Sequence, residues 1–228
     1  MHSENTRILK ELENKRHVFR DREHAGEVLA GMLEEYRNSD ALVLAIPAGG
    51  VPVASVIAVQ LELPLDVLPV SKILYPWTTE SGFGALAYDG TKWINETAVR
   101  HYNLDKEAVR KATDVALDKV ERRFRTLRGT RPFPLLGERK VILVDDGIAA
   151  GSTVRTAILF LRKQQCSGII IATPTAHDTS LAGIAALADK VYCANLRAGW
   201  SFAVADAYRN WTDVSESEVM RILGKNSE

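Results

Sequence analysis

The residues best suited to chemistry lie together, in the stretch Val141-Ile142-Leu143-Val144-Asp145-Asp146-Gly147-Ile148-Ala149-Ala150-Gly151-Ser152-Thr153. Four apolar residues predict a strand buried on both faces, and two acids stand at its carboxyl end. A run of small residues then leads to Gly151, Ser152 and Thr153, where a helix is predicted to start. In an open parallel sheet, ligands sit beyond the carboxyl ends of the strands. Small residues let the backbone approach a ligand closely. The free amides and positive dipole end of a helix N-terminus favour a phosphate. Asp145 and Asp146 could accept hydrogen bonds from sugar hydroxyls or hold metal-bound water. The segment therefore suits a sugar phosphate, with acids at one end and an anion cradle at the other. A plain strand–helix turn would account for Ser152 and one acid. It would not account for two adjacent carboxylates, whose burial is costly without partners.

Competing chemistries fit less well. No GxxxxGK[ST] stretch is present, so the Asp-Asp strand end lacks the partner of an ATPase site. Gly82–Ala87 matches GxGxxA, but polar residues rather than a strand precede it. No HExxH, paired-His or Cys cluster suggests a protein-bound metal. Cys166 and Cys193 lack metal or redox spacing and read as small buried hydrophobes of a reducing compartment, with a disulfide between them left open. Lys72, after a predicted strand, is balanced between solvated and phosphate-facing roles. Trp77 lies in a long polar loop and reads as part of a lid. Trp200 and Phe202 are the candidate base-stacking residues, although for them and for Tyr208 packing is the commoner role of such aromatics. His177 follows a strand end, where a structural role outweighs a functional one. Arg122, Arg123, Arg125, Arg128 and Arg131 read as a solvated helix end.

These groups need elements to position them. Residues 1–16 are predicted as a polar helical extension and Val18–Arg20 as a short strand. Asp21 caps a helix reaching about Tyr36. Leu42–Ile46, a helix over Val51–Leu61 and Leu65–Val70 form a βαβ unit, which implies parallel pairing. Leu74–Gly84 is a polar loop. Ala85–Tyr88 and Lys92–Asn95 form a hairpin about Asp89-Gly90. Asp105–Leu127 is a long amphipathic helix. The βα alternation resumes with Lys140–Val144, Ser152–Gln165, Gly168–Thr173, Thr179–Ala188 and Val191–Ala194, and an aromatic tail follows from Arg197. The expected fold is α/β, with a parallel central sheet flanked by helices, a small hood and a flexible loop with its hairpin.

The chain has 228 residues, enough for one well-buried α/β domain over 1–228. Lys+Arg and Asp+Glu balance at 29 each, so no global field draws nucleic acid or an anionic membrane. The charged N-terminus lacks an apolar signal core, and Leu42–Val70 is too interrupted to span a bilayer. A cytoplasmic location is expected.

The segment 141–153 resembles the phosphoribosyl pyrophosphate (PRPP) motif of type I phosphoribosyltransferases. FRDREHAGEVLA, IPAGGVPVA, LDVLPVSK, GFGALAYDG and the aromatic tail extend the resemblance, over about Phe19 to Val219, to predicted phosphoribosyltransferases of unassigned base. It implies PRPP-dependent transfer to a nitrogenous acceptor, a nucleobase in the family's pattern, or a PRPP sensor built on the same fold. It implies that Asp145 and Asp146 contact the ribose hydroxyls and that Ala149, Ala150, Gly151, Ser152 and Thr153 cradle the 5′-phosphate. Ala48, Gly49 and Gly50 would form a pyrophosphate loop with a non-proline cis peptide at Pro47–Ala48. Lys72 would lie near the pyrophosphate, 74–84 would close over PRPP, and Mg²⁺ would be held mainly by PRPP and water. A homodimer is implied as well. The chain departs from the family pattern at Ala48 and Ser71, where arginines are common. It departs from the 6-oxopurine enzymes at Ala149, where they carry an acid, and at Pro174, where several purine enzymes carry a lysine.

Overall fold

The computed structural model of the protein describes residues 4–225. In chain order its main elements are β1 (Thr6–Ile8), α1 (Arg22–Met32), β2 (Leu42–Ala45), α2 (Gly50–Leu61), β3 (Leu65–Val67), β4 (Val70–Leu74), β5 (Gly82–Ala87) and β6 (Lys92–Ile94). They continue with α3 (Glu96–His101), α4 (Lys106–Arg128), β7 (Lys140–Val144), α5 (Ser152–Lys163), β8 (Gly168–His177), α6 (Asp178–Ala185), β9 (Lys190–Arg197) and α7 (Glu216–Lys225). Six strands form one sheet in the order β1-β9-β8-β7-β2-β3, and every neighbouring pair is parallel.

The apolar strands explain the layering. Successive side chains point to opposite faces of a sheet, and on β2 and β7 both sets are apolar. Val43, Ala45, Ile142 and Val144 pack with Leu29 of α1 and Ile57 of α2. Leu42, Leu44, Val141 and Leu143 pack with Phe160 of α5 and Ile184 of α6. Helices therefore cover both faces, as the sequence predicts for a parallel sheet.

From β2 the chain crosses through α2 to β3 on one side. From β7 it crosses through α5 to β8 on the other. The crevice between the carboxyl ends of β2 and β7 is thus the point where strand order reverses, the place where open α/β sheets bind ligands.

Several predicted elements differ. Thr6–Ile8 is not part of a helix but adds to the open edge of β9, fixed by Val191 N donating to Asn5 O at 2.9 Å and by the Asn5 amide donating to Ala185 O and Ala188 O. Residues 1–3 of the predicted N-terminal extension, like 226–228 of the tail, lie outside the described residues. Val18–Arg20 makes a single bridge, Phe19 with Tyr208. Leu65–Val70 is two strands, because Pro69 has no amide to continue the ladder. After it β4 turns into a separate antiparallel sheet, β4-β5-β6.

The loop is shorter than predicted, 75–81, because Gly82 and Gly84 join β5. A Cβ at either glycine would stand 2.5 Å from a carbonyl oxygen of the neighbouring strand. The hairpin forms as expected, with Gly90 at φ +82°. α3 was not predicted; Asn95 caps it. The arginine cluster is not all solvated, since Arg128 is buried against Asp66, Phe124 and Phe133. Cys166 and Cys193 are both free. Among the described residues no helix is long and apolar enough to cross a membrane.

Candidate active site

The acid pair follows β7 directly. Ile46 N donates to Val144 O at 2.8 Å, so the loop after β2 starts level with it. That loop holds a cis peptide at Pro47–Ala48. Its glycines are required by contact. A Cβ on Gly49 would stand 1.9 Å from Asp146 Oδ2, and one on Gly50 would stand 2.7 Å from Val144 O. The Ala48-Gly49-Gly50 backbone therefore lies against the acid pair.

On the other side the chain turns through Ala149 and Ala150, both exposed, into α5. Gly151 takes φ +76°, a left-handed conformation that glycine adopts without strain. No side chain caps α5, which leaves its first amides for a ligand or water. Ser152 is buried, and Thr153 Oγ1 donates to Asp145 Oδ2 at 3.5 Å. Ala149 O accepts a bond from Ser180 Oγ, which pins the turn to α6.

The two acids differ in their partners. Asp146 Oδ2 accepts from Arg22 Nε at 2.9 Å, and its carbonyl accepts from the Tyr208 hydroxyl at 2.7 Å. Asp145 has Thr153 and the amide of Asp146, at 3.0 Å, but no arginine. Burial pushes both carboxyls above the ordinary range. For Asp146 the Arg22 guanidinium opposes that push. Asp145 is driven well up by burial and then by the charge of Asp146, with the charge of Lys72 pulling it back only in part. Lys72 is therefore brought within electrostatic reach of Asp145. It extends from β4 with its ammonium 3.4 Å from Glu80 O.

Sequence does not mark Arg22 or Trp211 as site residues, and it offers Tyr208 only as an aromatic more suited to packing than to stacking. Arg22 is buried at the start of α1. It donates to Thr212 O at 2.7 Å and lies 3.9 Å from the Trp211 ring, so the C-terminal tail and α1 jointly hold Asp146. The available signal was Arg22 directly after the capping Asp21, which aims the first turn of α1 at the sheet end. The tail also meets the site at Val204, against which a Cβ on Gly147 would press at 2.3 Å.

The candidate stacking residues differ in their surroundings. Trp200 is fully exposed, beside Gly199 at φ +113°. Phe202 packs edge-on to His177 at 5.5 Å and under Arg197 at 5.0 Å. His177 bonds Thr179 Oγ1 and Gly199 O, which anchors the turn bearing Trp200. Trp77 is exposed and stacks on Tyr75 at 5.2 Å.

A doubly covered parallel sheet whose switch point presents two acids between two loops of small residues defines an α/β protein with a ligand crevice at the carboxyl ends of its strands. The match is more specific than that: residues 21–208 fit the family model "Phosphoribosyl transferase domain", and the chain belongs to that family. Two Mycobacterium tuberculosis proteins, whose names provisionally assign them as phosphoribosyl transferases, are each 38% identical over 211 residues. The alignment covers 91% of this chain and 47% of theirs, so the chain spans about half the length of the curated relatives it matches. The crystal structure of TT1426 from Thermus thermophilus superposes with a TM-score of 0.74 at 29% identity, covering 91% of this chain and 98% of that one. AQ2163 from Aquifex aeolicus, at 11% identity and a TM-score of 0.50 over 82% of this chain and 78% of its own, shares the fold.

Proposed function

We propose that the chain transfers the phosphoribosyl group of PRPP to a nitrogen of a small acceptor and releases pyrophosphate. The observation that carries this reading is the contact of Gly49 with Asp146. Two anion cradles, one after β2 and one before α5, meet at one acid pair. A ligand with an anion at each end and hydroxyls between would engage all of them, and PRPP has that form.

On this reading Asp145 and Asp146 accept hydrogen bonds from the ribose 2′- and 3′-hydroxyls. Their charge faces the positive charge that develops on the ribose as the C1–O bond to pyrophosphate breaks. The acceptor nitrogen supplies the electron pair of the new bond at C1, and pyrophosphate leaves with the old one. Ala149–Thr153 hold the 5′-phosphate, Ala48–Gly50 hold the pyrophosphate, and Lys72 adds a cation on the leaving-group side. Residues 75–81 close to exclude water. A nucleobase is the proposed acceptor, with Trp200 and Phe202 as the stacking candidates.

Mg²⁺ fits these donors as a companion of the substrate. Among the described residues no three metal-ligating side chains cluster into a cage. Asp145, partly exposed and without an arginine, is suited to hold the water shell of a metal that PRPP carries. When bound, the ion would neutralise charge on the pyrophosphate.

A PRPP-sensing role is the second reading. It is favoured by Ala48, which has no charge, and by Ser71, which is buried with its hydroxyl on Lys72 O at 3.4 Å. Neither supplies a cation to a leaving pyrophosphate. Calorimetric titration with PRPP, with and without Mg²⁺, is the first test. Saturable binding that weakens in Asp145→Asn supports both readings, and no binding by folded protein removes both. Base-dependent pyrophosphate release that is lost in Asp146→Asn then selects the transferase.

A further inference from the structure

Between β4, the loop 75–81 and the N-terminal half of α4 lies a cavity of about 540 Å³. That volume suits a small organic molecule. β4 is the edge strand of its sheet, so no further strand fills the space beside it. Much of the wall is apolar, from Leu74, Tyr75, Ala112, Val115 and Ala116. Val115 is 68% exposed in the middle of a helix that elsewhere covers its apolar face.

The charges of this cavity are unbalanced in what they bind. Its two acids are already engaged: Asp105 caps α4 through Ala108 N at 2.7 Å, and Glu107 is held by Arg110 at 2.9 Å and Lys111 at 3.4 Å. Its other two lysines are not matched in this way. Lys72 reaches only a backbone carbonyl, Glu80 O, and Lys119 has no ion pair or hydrogen bond among the described residues. Lysines 111 and 119 flank Val115 at i−4 and i+4, so cations and apolar surface share one stripe of α4.

We propose that this cavity is a binding site for a small organic anion with a flat apolar body. The acid group pairs with Lys119 and Lys72, and the body lies on Tyr75, Ala112 and Val115. Such a ligand would also touch the loop, because Tyr75 carries the stacked Trp77. The cavity is lined by Lys72 but by neither Asp145 nor Asp146, so such a ligand would not occupy the acid pair. The inference does not depend on the transferase reading.

The test is calorimetry on the full chain with naphthalene-2-sulfonate as the anionic probe and neutral naphthalene-2-sulfonamide as its control. We expect one sulfonate per chain, bound at least tenfold tighter than the sulfonamide. Lys119→Ala should weaken the sulfonate five- to tenfold, and Val115→Trp should abolish it. Lys119→Glu, on the helix surface, serves if Val115→Trp does not fold. Equal binding of the two probes overturns the proposal, as does sulfonate binding that ignores the Lys119 and Val115 changes. So does a dimer that excludes the probe and dissociates in Val115→Asp, because a second copy then covers the face. A chain that binds the sulfonate but not PRPP keeps this site and removes the transferase reading.

Discussion

The candidate site has two unlike sides. On the acid side, Asp146 is held by Arg22 and Tyr208, Arg22 is held by Thr212 and Trp211, and the glycine loop packs against Asp146 with no room for a methyl group. On the loop side, Lys72 is exposed, Trp77 is 61% exposed, and residues 75–81 bond among themselves through Tyr75 N to Ser81 O at 3.2 Å and Thr78 N to Tyr75 O at 3.3 Å. The contrast separates two tasks. Fixed donors and charges stabilise developing charge best when they need no reorganisation. A cover over a reaction must open, and so draws on segments with few buried contacts.

Mutations can break or sharpen this contrast. The largest effect is expected from Arg22→Ala, which leaves the mostly buried carboxylate of Asp146 without its cation. Losing one partner of such a pair costs about 3–5 kcal/mol, and urea unfolding would measure it. A loss below ~1 kcal/mol would mean that the acid side is not held as described. Next comes Asp146→Asn. Turnover should fall about 10²- to 10³-fold in a pyrophosphate-release assay, while the unfolding midpoint should drop less than in Arg22→Ala, because the Asn oxygen can still accept from Arg22. Lys72→Ala should act more weakly, raising the PRPP dissociation constant about tenfold, or ~1.4 kcal/mol, with no effect on melting. An effect on melting as large as that of Arg22→Ala would erase the difference between the two sides.

The smallest effect is on the stability of the free protein, and it has a definite sign. The folded state holds the Asp145 proton above the ordinary carboxylate range, and the unfolded state does not. The native state therefore binds more protons, and this group costs stability as pH rises through that range towards the folded value. Asp145→Asn should melt higher than the wild type at neutral pH. The gain should fade below about pH 4, where the carboxyl is protonated in both states. A variant that melts lower at neutral pH would show that Asp145 is held by attractions stronger than its burial and the charge beside it.

Residues near one another in sequence made much of the site legible. Apolar runs at 42–46 and 141–144 specify strands buried on both faces. The small residues and acids that follow each run specify what the carboxyl ends present, because strand polarity and side-chain size are local properties. Where the reading failed, the cause was distant. Thr6–Ile8 is a strand because β9 offers an open edge, and nothing in its own charged context indicates that. Gly82 and Gly84 are strand residues because neighbouring carbonyls approach too closely for a side chain. Arg128 is buried because Asp66 lies beneath it, 62 residues away.

The sequence by itself determined that an acid pair and two small-residue loops stand at the ends of parallel strands, through hydrophobic period and residue size alone. Only the tertiary structure decided which cations face those acids. Arg22 reaches Asp146 across 124 residues of chain, Lys72 comes within electrostatic reach of Asp145, and Lys119 is left without a partner among the described residues. Charge pairing depends on distance in space, and that distance is fixed when helices and sheets pack.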